Sequence, residues 1–294
     1  MQEPTLDEQM TALKAKAPDD FSRSCLEGAC RALEDRENPL RLNFFSTAMR
    51  ILFEHLIETL APSDAVKRSC WYRPERDDGN PTRGQRITYA IQGGLTEEFV
   101  TGQLHVDPQP LRKRLLEAVD QCSAQVHGRE YTLITDPGEQ DAAAAGTTVA
   151  VCAMLDAIHR RRAAILEPIA ESLDEAAVEA LLRETILEVD ELATHHSIQE
   201  IYVGETTVLT IGPETITYRA TGSLDVILQF GSDSDIRNDM GAEIPQTFPF
   251  FCDIEVSLSD PWEFEWAEPR YGVDVSAWRD AMRPEEIDMI IDDE

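Results

Sequence analysis

The sequence predicts an α+β protein, with an N-terminal helical region followed by a small antiparallel β-sheet (meander) domain. Three observations predict it. Through the first two-thirds of the chain, apolar residues recur at steps of three and four, the helical period. From about residue 198 the period falls to two, in segments rich in Ile, Val, Thr, Tyr and Phe. Gly204, Gly212, Gly222 and Gly231 punctuate those segments closely, and short loops join antiparallel neighbours because parallel strands need long crossovers. The expected divisions are residues 1–197 (helical), 198–260 (antiparallel β) and 261–294, an acidic tail carrying three tryptophans. That tail is expected to pack partly on the sheet and then fray.

Element by element, "NPLRLNFFSTAMRILFEHLIETLAP" places Phe45, Met49, Leu52, Phe53, Leu56 and Leu60 on one helical face, stopped at Ala61-Pro62. Pro74, Gly79 and Pro81 mark the following loop. A short helix opens at Thr82 and closes at Gly93-Gly94; another begins with Asp107 as its cap. The alanine-rich run from Asp136 to Leu173 predicts a long helix kinked at Pro168. The next helix, capped by Asp174, carries Val178, Leu181, Leu182, Thr185 and Val189 on one face and ends in "EVDELATHH". Five strands then follow: "IQEIYVG", "TTVLTIG", "TITYRATG", "SLDVILQFG" and "FPFFCDIEVSLS".

Charge is the dominant feature of the composition. In 294 residues there are 56 acids and 26 bases, a net of -30, and only four bases are lysines. From residue 198 onward, 22 acids face 5 arginines, net -17, which leaves -13 for the longer helical part. Acids spread along the whole chain predict adaptation to a salt-saturated cytoplasm, where self-repulsion is screened within roughly 3 Å at molar salt. The alternatives are mimicry of nucleic acid and capture of a basic partner. The six cysteines show no C-x-x-C pair and read as small buried hydrophobes in a reducing cell. An acidic N-terminus and the lack of any run of about 18 apolar residues predict a cytoplasmic protein without a membrane segment.

Four groupings could carry chemistry. The stretch from Lys67 to Arg86 joins Arg68, Arg73, Arg76, Arg83 and Arg86 to Trp71 and Tyr72; arginines among aromatics suit phosphate contact and base stacking. The opposing account is a loop whose arginines pair with neighbouring acids. Arg112-Lys113-Arg114 and Arg160-Arg161-Arg162 fan around their helices and read as solvated surface. In the helix end "EVDELATHH", Glu191 and His195 share a face, but no H-E-x-x-H pattern is completed. Asp225 on one expected strand, with Asp253 and Glu255 on another, resembles the acid arrangement of a metal-dependent nuclease core. The strand lysine of such cores is absent, and Ser257 stands in its place. Asp233 and Asp235 form a further cation candidate in "GSDSDIRNDMG", although Asn238 and Ile244 occupy the positions where an EF-hand needs glycine and glutamate.

Two stretches, "APSDAVKRSCWYRPERDDGNPTRGQRITYAIQGGL" (61–95) and "ATGSLDVILQFGSDSDIRNDMGAEIPQTFPFFCDI" (220–254), resemble the predicted pPIWI-associating nucleases of prokaryotic conflict and defence systems. The likeness spans about residues 40–258. It implies a metal-dependent nuclease using Mg²⁺ or Mn²⁺, nucleic acid as partner, and a protein partner from a defence operon. From the residue patterns above, and not from the resemblance, Asp225, Asp253 and Glu255 would be catalytic, Asp233 and Asp235 metal-binding, and Arg68, Trp71, Arg73, Arg76, Arg83 and Arg86 would contact nucleic acid. The alternative is a non-enzymatic accessory or sensor acting through protein contact.

Overall fold

A computed structural model describes residues 4–131, 133–183, 186–264, 267 and 269–281. The chain forms two units: residues 1–165 with 211–215, and residues 166–210 with 216–294.

The first unit is helical: α1 (Leu6–Ala15), α2 (Asp20–Glu34), α3 (Arg41–Leu60), α4 (Ser63–Arg68), α5 (Arg83–Gln92), α6 (Glu97–Gly102), α7 (Pro108–Val126) and α8 (Pro137–Leu166). As expected, α3 buries Phe45, Met49, Leu52, Phe53 and Leu56, and it packs against α2 and α7. Leu60 is only half-buried. Thr82 opens α5 with a reciprocal box, accepting from the Gln85 amide while Gln85 accepts from the Thr82 amide. Gly93 ends α5 at φ 66°, a conformation that glycine adopts without a Cβ penalty. Asp107 caps α7, accepting from the Gln109 amide at 3.0 Å.

One buried hub joins three helices. The Arg41 guanidinium donates from Nε to Gln140 Oε1 (2.6 Å), from Nη1 to the Leu33 carbonyl (3.0 Å), and from Nη2 to the Pro137 carbonyl (2.8 Å) and Asp141 Oδ1 (2.7 Å). The tip Ile211–Thr215 belongs to this unit too. There the Gly212 carbonyl accepts from the Gly94 amide at 3.1 Å, and Ile211 lies against Gly93.

The alanine-rich helix ends at Leu166, and a 3-10 turn, Glu167–Ile169, holds Pro168 before α9 (Ala170–Arg183), so the expected break is there. Within residues 137–183 an 18-residue window has mean hydropathy 1.4, long and apolar enough by length and composition to cross a membrane. No unbroken apolar run of that length occurs because Gly146, Thr147, Thr148 and Asp156 interrupt the alanines and valines, so only the window average shows it. Half of that window is buried inside the protein.

In the second unit, α9 starts four residues before Asp174, so Asp174 is not its cap; instead it accepts from Thr206 Oγ1 at 2.8 Å. The stripe that α9 buries is Leu173, Ala177, Ala180 and Leu181, leaving Val178 half-buried and Leu182 exposed. Thr185 lies outside the described residues. The expected helix end is also different: α10 (Leu187–Asp190) is short, and His195 and His196 open a strand.

That sheet is antiparallel, in the order β1 (His195–Ile211), β2 (Thr215–Phe230), β3 (Ala242–Ser257) and β4 (Arg270–Val273). Four expected strands are therefore two long ones, and Gly204 and Gly222 sit inside them. Gly222 marks close approach of backbone instead of a turn, since a Cβ there would lie 1.8 Å from the Tyr202 carbonyl oxygen. A short helix, α11 (Asp233–Arg237), joins β2 to β3, and α12 (Ser276–Ala281) follows β4. Thus part of the tail adds a strand to the sheet, with Phe250 opposite Val273 and Asp253 opposite Arg270. Alternation holds with one exception: Cys252, Ile254 and Val256 are buried and Phe251, Glu255 and Ser257 exposed, but Asp253, expected on the exposed face, is buried under its pairing with Arg219. Tyr218 anchors the buried face, donating to the Pro261 carbonyl at 2.8 Å with its ring edge-on to Phe264. Burial pushes its hydroxyl well above the ordinary tyrosine range. The six cysteines are free; Cys122 and Cys252 are buried as expected, but Cys70 is exposed.

Candidate functional site

In the first unit the basic segment lies between α4 and α5. Its backbone is held from inside: Trp71 Nε1 donates to the Gly93 carbonyl (3.0 Å), Tyr72 Oη to the Gly79 carbonyl (3.0 Å), and Gln85 Nε2 to the Arg73 carbonyl (2.6 Å). The arginines divide into two groups. Arg86 is structural, its Nε and Nη2 donating to the Ala61 and Ile57 carbonyls at 3.0 and 3.1 Å, where the negative end of the α3 dipole favours a cation. Arg76 pairs with Asp78 at 3.1 Å and Arg83 with Asp120 at 3.5 Å, both on the exposed surface. Arg73 folds over its own loop, donating to the Cys70 and Tyr72 carbonyls, and remains exposed. Arg68 is exposed and has no carboxylate partner among the described residues.

Behind this loop lies a residue that the sequence reading placed at the solvated surface. Arg161 on α8 is 4% exposed and donates from Nη1 to the Ile91 carbonyl at 2.5 Å, near the end of α5. Burial first, and then the neighbouring Arg162 charge, bring its pKa down to about 9. Its Nε is buried without a partner. The signal was present in the spacing: Ile158, Arg161 and Ile165 are three and four apart, and all are buried on one face of α8. Arg161 and Arg68 both act on the Tyr89 hydroxyl, which desolvation pushes upward against their pull. The Tyr89 ring lies 6.5 Å from that of Trp71. The Trp71 and Tyr89 rings thus lie together at the end of α5, near the buried Arg161 that bonds the Ile91 carbonyl.

The acids of the second unit do not converge. Asp253 is 7% exposed and accepts a two-pronged bond from Arg219, Nε to Oδ1 at 2.6 Å and Nη2 to Oδ2 at 2.7 Å. The same guanidinium lies over the Phe251 ring, 4.9 Å from its centroid. Asp225 accepts from Thr247 Oγ1 at 2.7 Å. The Asp225–Thr247 and Arg219–Asp253 contacts are six residues apart on both strands, which at about 3.3 Å per residue separates the two acids by roughly 20 Å. Glu255 is exposed two residues beyond Asp253.

The loop acids serve α11 instead. Asp235 completes a capping box, accepting from the Ser232 amide (2.8 Å) and hydroxyl (2.7 Å), and these bonds hold its carboxyl below the usual range. Asp233 accepts from Gln229 Nε2 at 3.1 Å. Among the described residues no three His, Cys, Asp or Glu side chains are arranged to hold a metal ion. The five predicted acids are therefore not gathered into one ligand set, and a Mg²⁺ or Mn²⁺ ion here would be held by one or two carboxylates together with water and phosphate oxygens.

The Arg219–Asp253 pair yields a direct test. Both single substitutions to Ala and the double substitution, unfolded in guanidinium chloride, are expected to give a coupling of about 1–2 kcal/mol, discounted because Arg219 is about a third exposed. Additive single effects would show the pair to be incidental.

Two family profiles, each described as predicted pPIWI-associating nuclease, match the chain, one over residues 14–146 and the other over residues 158–279. Together they cover most of the sequence, and the chain belongs to the predicted pPIWI-associating nucleases. No curated protein and no solved structure matches it.

Proposed function

We propose that the protein is a nuclease-family component of a prokaryotic system acting against mobile elements, working in the salt-rich cytoplasm of a halophile. Nucleic acid is contacted through the exposed arginines beside Trp71. The exposed Arg68 and Arg73 on either side of the half-buried Trp71 and Tyr72 carry this reading, because they set cations beside aromatic rings at the surface of a chain of net charge -30. Arg68 and Arg73 would meet phosphate, and Trp71 and Tyr72 would border the path of the strand. Dependence on Mg²⁺ or Mn²⁺ belongs to the same proposal, and no step is assigned to Asp225, Asp253, Glu255, Asp233 or Asp235.

A second reading, a non-enzymatic accessory acting through contact with a protein from the same operon, is favoured by the engagement of Asp253 with Arg219 and by the distance of Asp225 from it.

Fluorescent single- and double-stranded oligonucleotides, titrated with protein and then incubated with Mg²⁺ or Mn²⁺ over a range of salt, distinguish the two. Arg68→Ala with Arg73→Ala is expected to weaken binding roughly tenfold and to flatten its salt dependence. Folded protein that binds no nucleic acid and cuts none with either metal would sink the nuclease reading and leave the accessory one.

A further inference from the structure

In the first unit, α2 and α3 share an outward apolar face that the nucleic-acid reading does not use. On α2, Phe21, Cys25, Gly28 and Ala32 recur at steps of four, three and four, which sets them on one stripe. On α3, Phe44, Ala48, Ile51 and His55 recur at the same steps. The helices run antiparallel: His55 bonds Asp19 at one end (2.8 Å), and Arg41 bonds the Leu33 carbonyl at the other (3.0 Å). The stripes meet where the Phe21 ring lies 4.7 Å from that of His55. Phe21, Phe44 and Ile51 are 50%, 54% and 47% exposed. Gly28 is open as well, since nothing outside its own turn of helix lies within 4 Å of where its Cβ would stand. Single exposed apolar residues are ordinary, but a continuous patch over two helices marks an interaction surface.

The face matches itself in shape and in charge. Phe21 stands level with His55 and Leu33 with Arg41, so Gly28 and Ala48 stand level at the centre. A two-fold axis there, lying in the face and across the helices, lays each helix antiparallel on its own counterpart. The smallest residues, Gly28 and Ala48, then meet at the crossing, and Phe44 of one copy falls beside Ile51 of the second. Glu27 and Arg31 flank Gly28 on the exposed edge of α2, and neither has an ion-pair partner among the described residues. The same axis brings Glu27 within two residues, about 3 Å along the helix, of the second copy's Arg31, and does so twice. At 1.5 Å per residue the 15 residues of α2 span roughly 22 Å, and two helix widths of about 10 Å make a face of roughly 450 Å². Two such faces bury roughly 900 Å², the low end of specific interfaces, which suits a reversible dimer of micromolar affinity.

We propose that this face is the interface of a symmetric homodimer, in which a second copy of the chain packs α2 on α2 and α3 on α3.

Sedimentation equilibrium of the full chain tests this in about 0.3 M KCl, which screens charges more than roughly 5 Å apart while leaving contact pairs in place. A monomer–dimer equilibrium with Kd of roughly 1–100 μM is expected. Gly28→Gln has room in the monomer but fills the crossing, and should weaken the dimer at least tenfold with no loss in the thermal melt. Glu27→Arg alone and Arg31→Glu alone each set like charges together at both contacts, and each should weaken self-association roughly tenfold. An equimolar mixture of these two variants restores opposite charges at both contacts, so it should dimerise about as well as the parent chain. A parent chain that stays monomeric well above that concentration range would overturn the proposal. So would a dimer indifferent to Gly28→Gln, which would use another face, or a mixture that associates no better than its two components.

Discussion

Arg41→Ala is expected to lower the unfolding free energy by about 3–5 kcal/mol, as removal of one member of a buried charged network does. The side chain is fully buried, and its four hydrogen bonds join the end of α2 to the starts of α3 and α8. Without it, the Leu33 and Pro137 carbonyls and the Gln140 amide oxygen lose their donor inside the protein, where desolvated acceptors are costly. Asp141, about a third exposed, can return to water and moderates the loss. Arg41→Lys keeps the charge but brings a single ammonium in place of a planar fork, and should recover less than half of the stability. Guanidinium denaturation followed by far-UV circular dichroism measures both; a loss below about 1 kcal/mol for the alanine variant would show that water replaces the guanidinium.

The second large effect is expected at Gly222. A methyl group there would stand 1.8 Å from the Tyr202 carbonyl oxygen and 2.9 Å from Phe250 Cε1. The first neighbour is backbone and cannot swing aside, so β1 and β2 must separate locally. Gly222→Ala should cost about 3 kcal/mol or more, the upper range for overpacking. Gly204→Ala is the paired control. It too lies mid-strand, but its nearest contact would be the Thr221 carbonyl at 3.7 Å, an ordinary separation. Its cost should stay near the small propensity effects of an exposed strand, below about 1 kcal/mol. Equal losses for the two variants would refute the close-approach argument.

Both residues show what could be read in advance. The α+β order was legible because apolar period reports local conformation directly: the α3 face, the Thr82 and Asp107 caps and the β3 alternation all follow from spacing. Gly222 was read as a turn because a glycine inside a strand and a glycine between strands look alike until the partner strand is in place. The Asp174 cap failed for a similar reason, since the pattern for opening a helix does not tell whether helix already precedes it. Arg161 went unrecognised because three consecutive arginines suggest solvent, although Ile158 and Ile165 mark its face as buried. Acids posed the hardest case. In a chain with 56 of them, pairs on neighbouring strands arise often, and only the register separates Asp225 from Asp253. The Ser232-to-Asp235 capping box, by contrast, is legible in the letters "SDSD", whose closely spaced acids equally suit a cation loop.

The five residues Ile211–Thr215 fall within the second matched segment of sequence but in the space of the first unit. Dividing the gene at residue 165 would therefore strip the helical half of its cover: the Gly94 amide would lose the Gly212 carbonyl, and Gly93 would lose Ile211. Two polypeptides made from such halves would each be incomplete, and mixing them should restore what neither has alone. The same holds over generations, since a recombination that exchanged only the second segment would succeed when the incoming hairpin tip suited the glycines it must cover. The two matched segments are tied to each other by a hairpin tip of five residues.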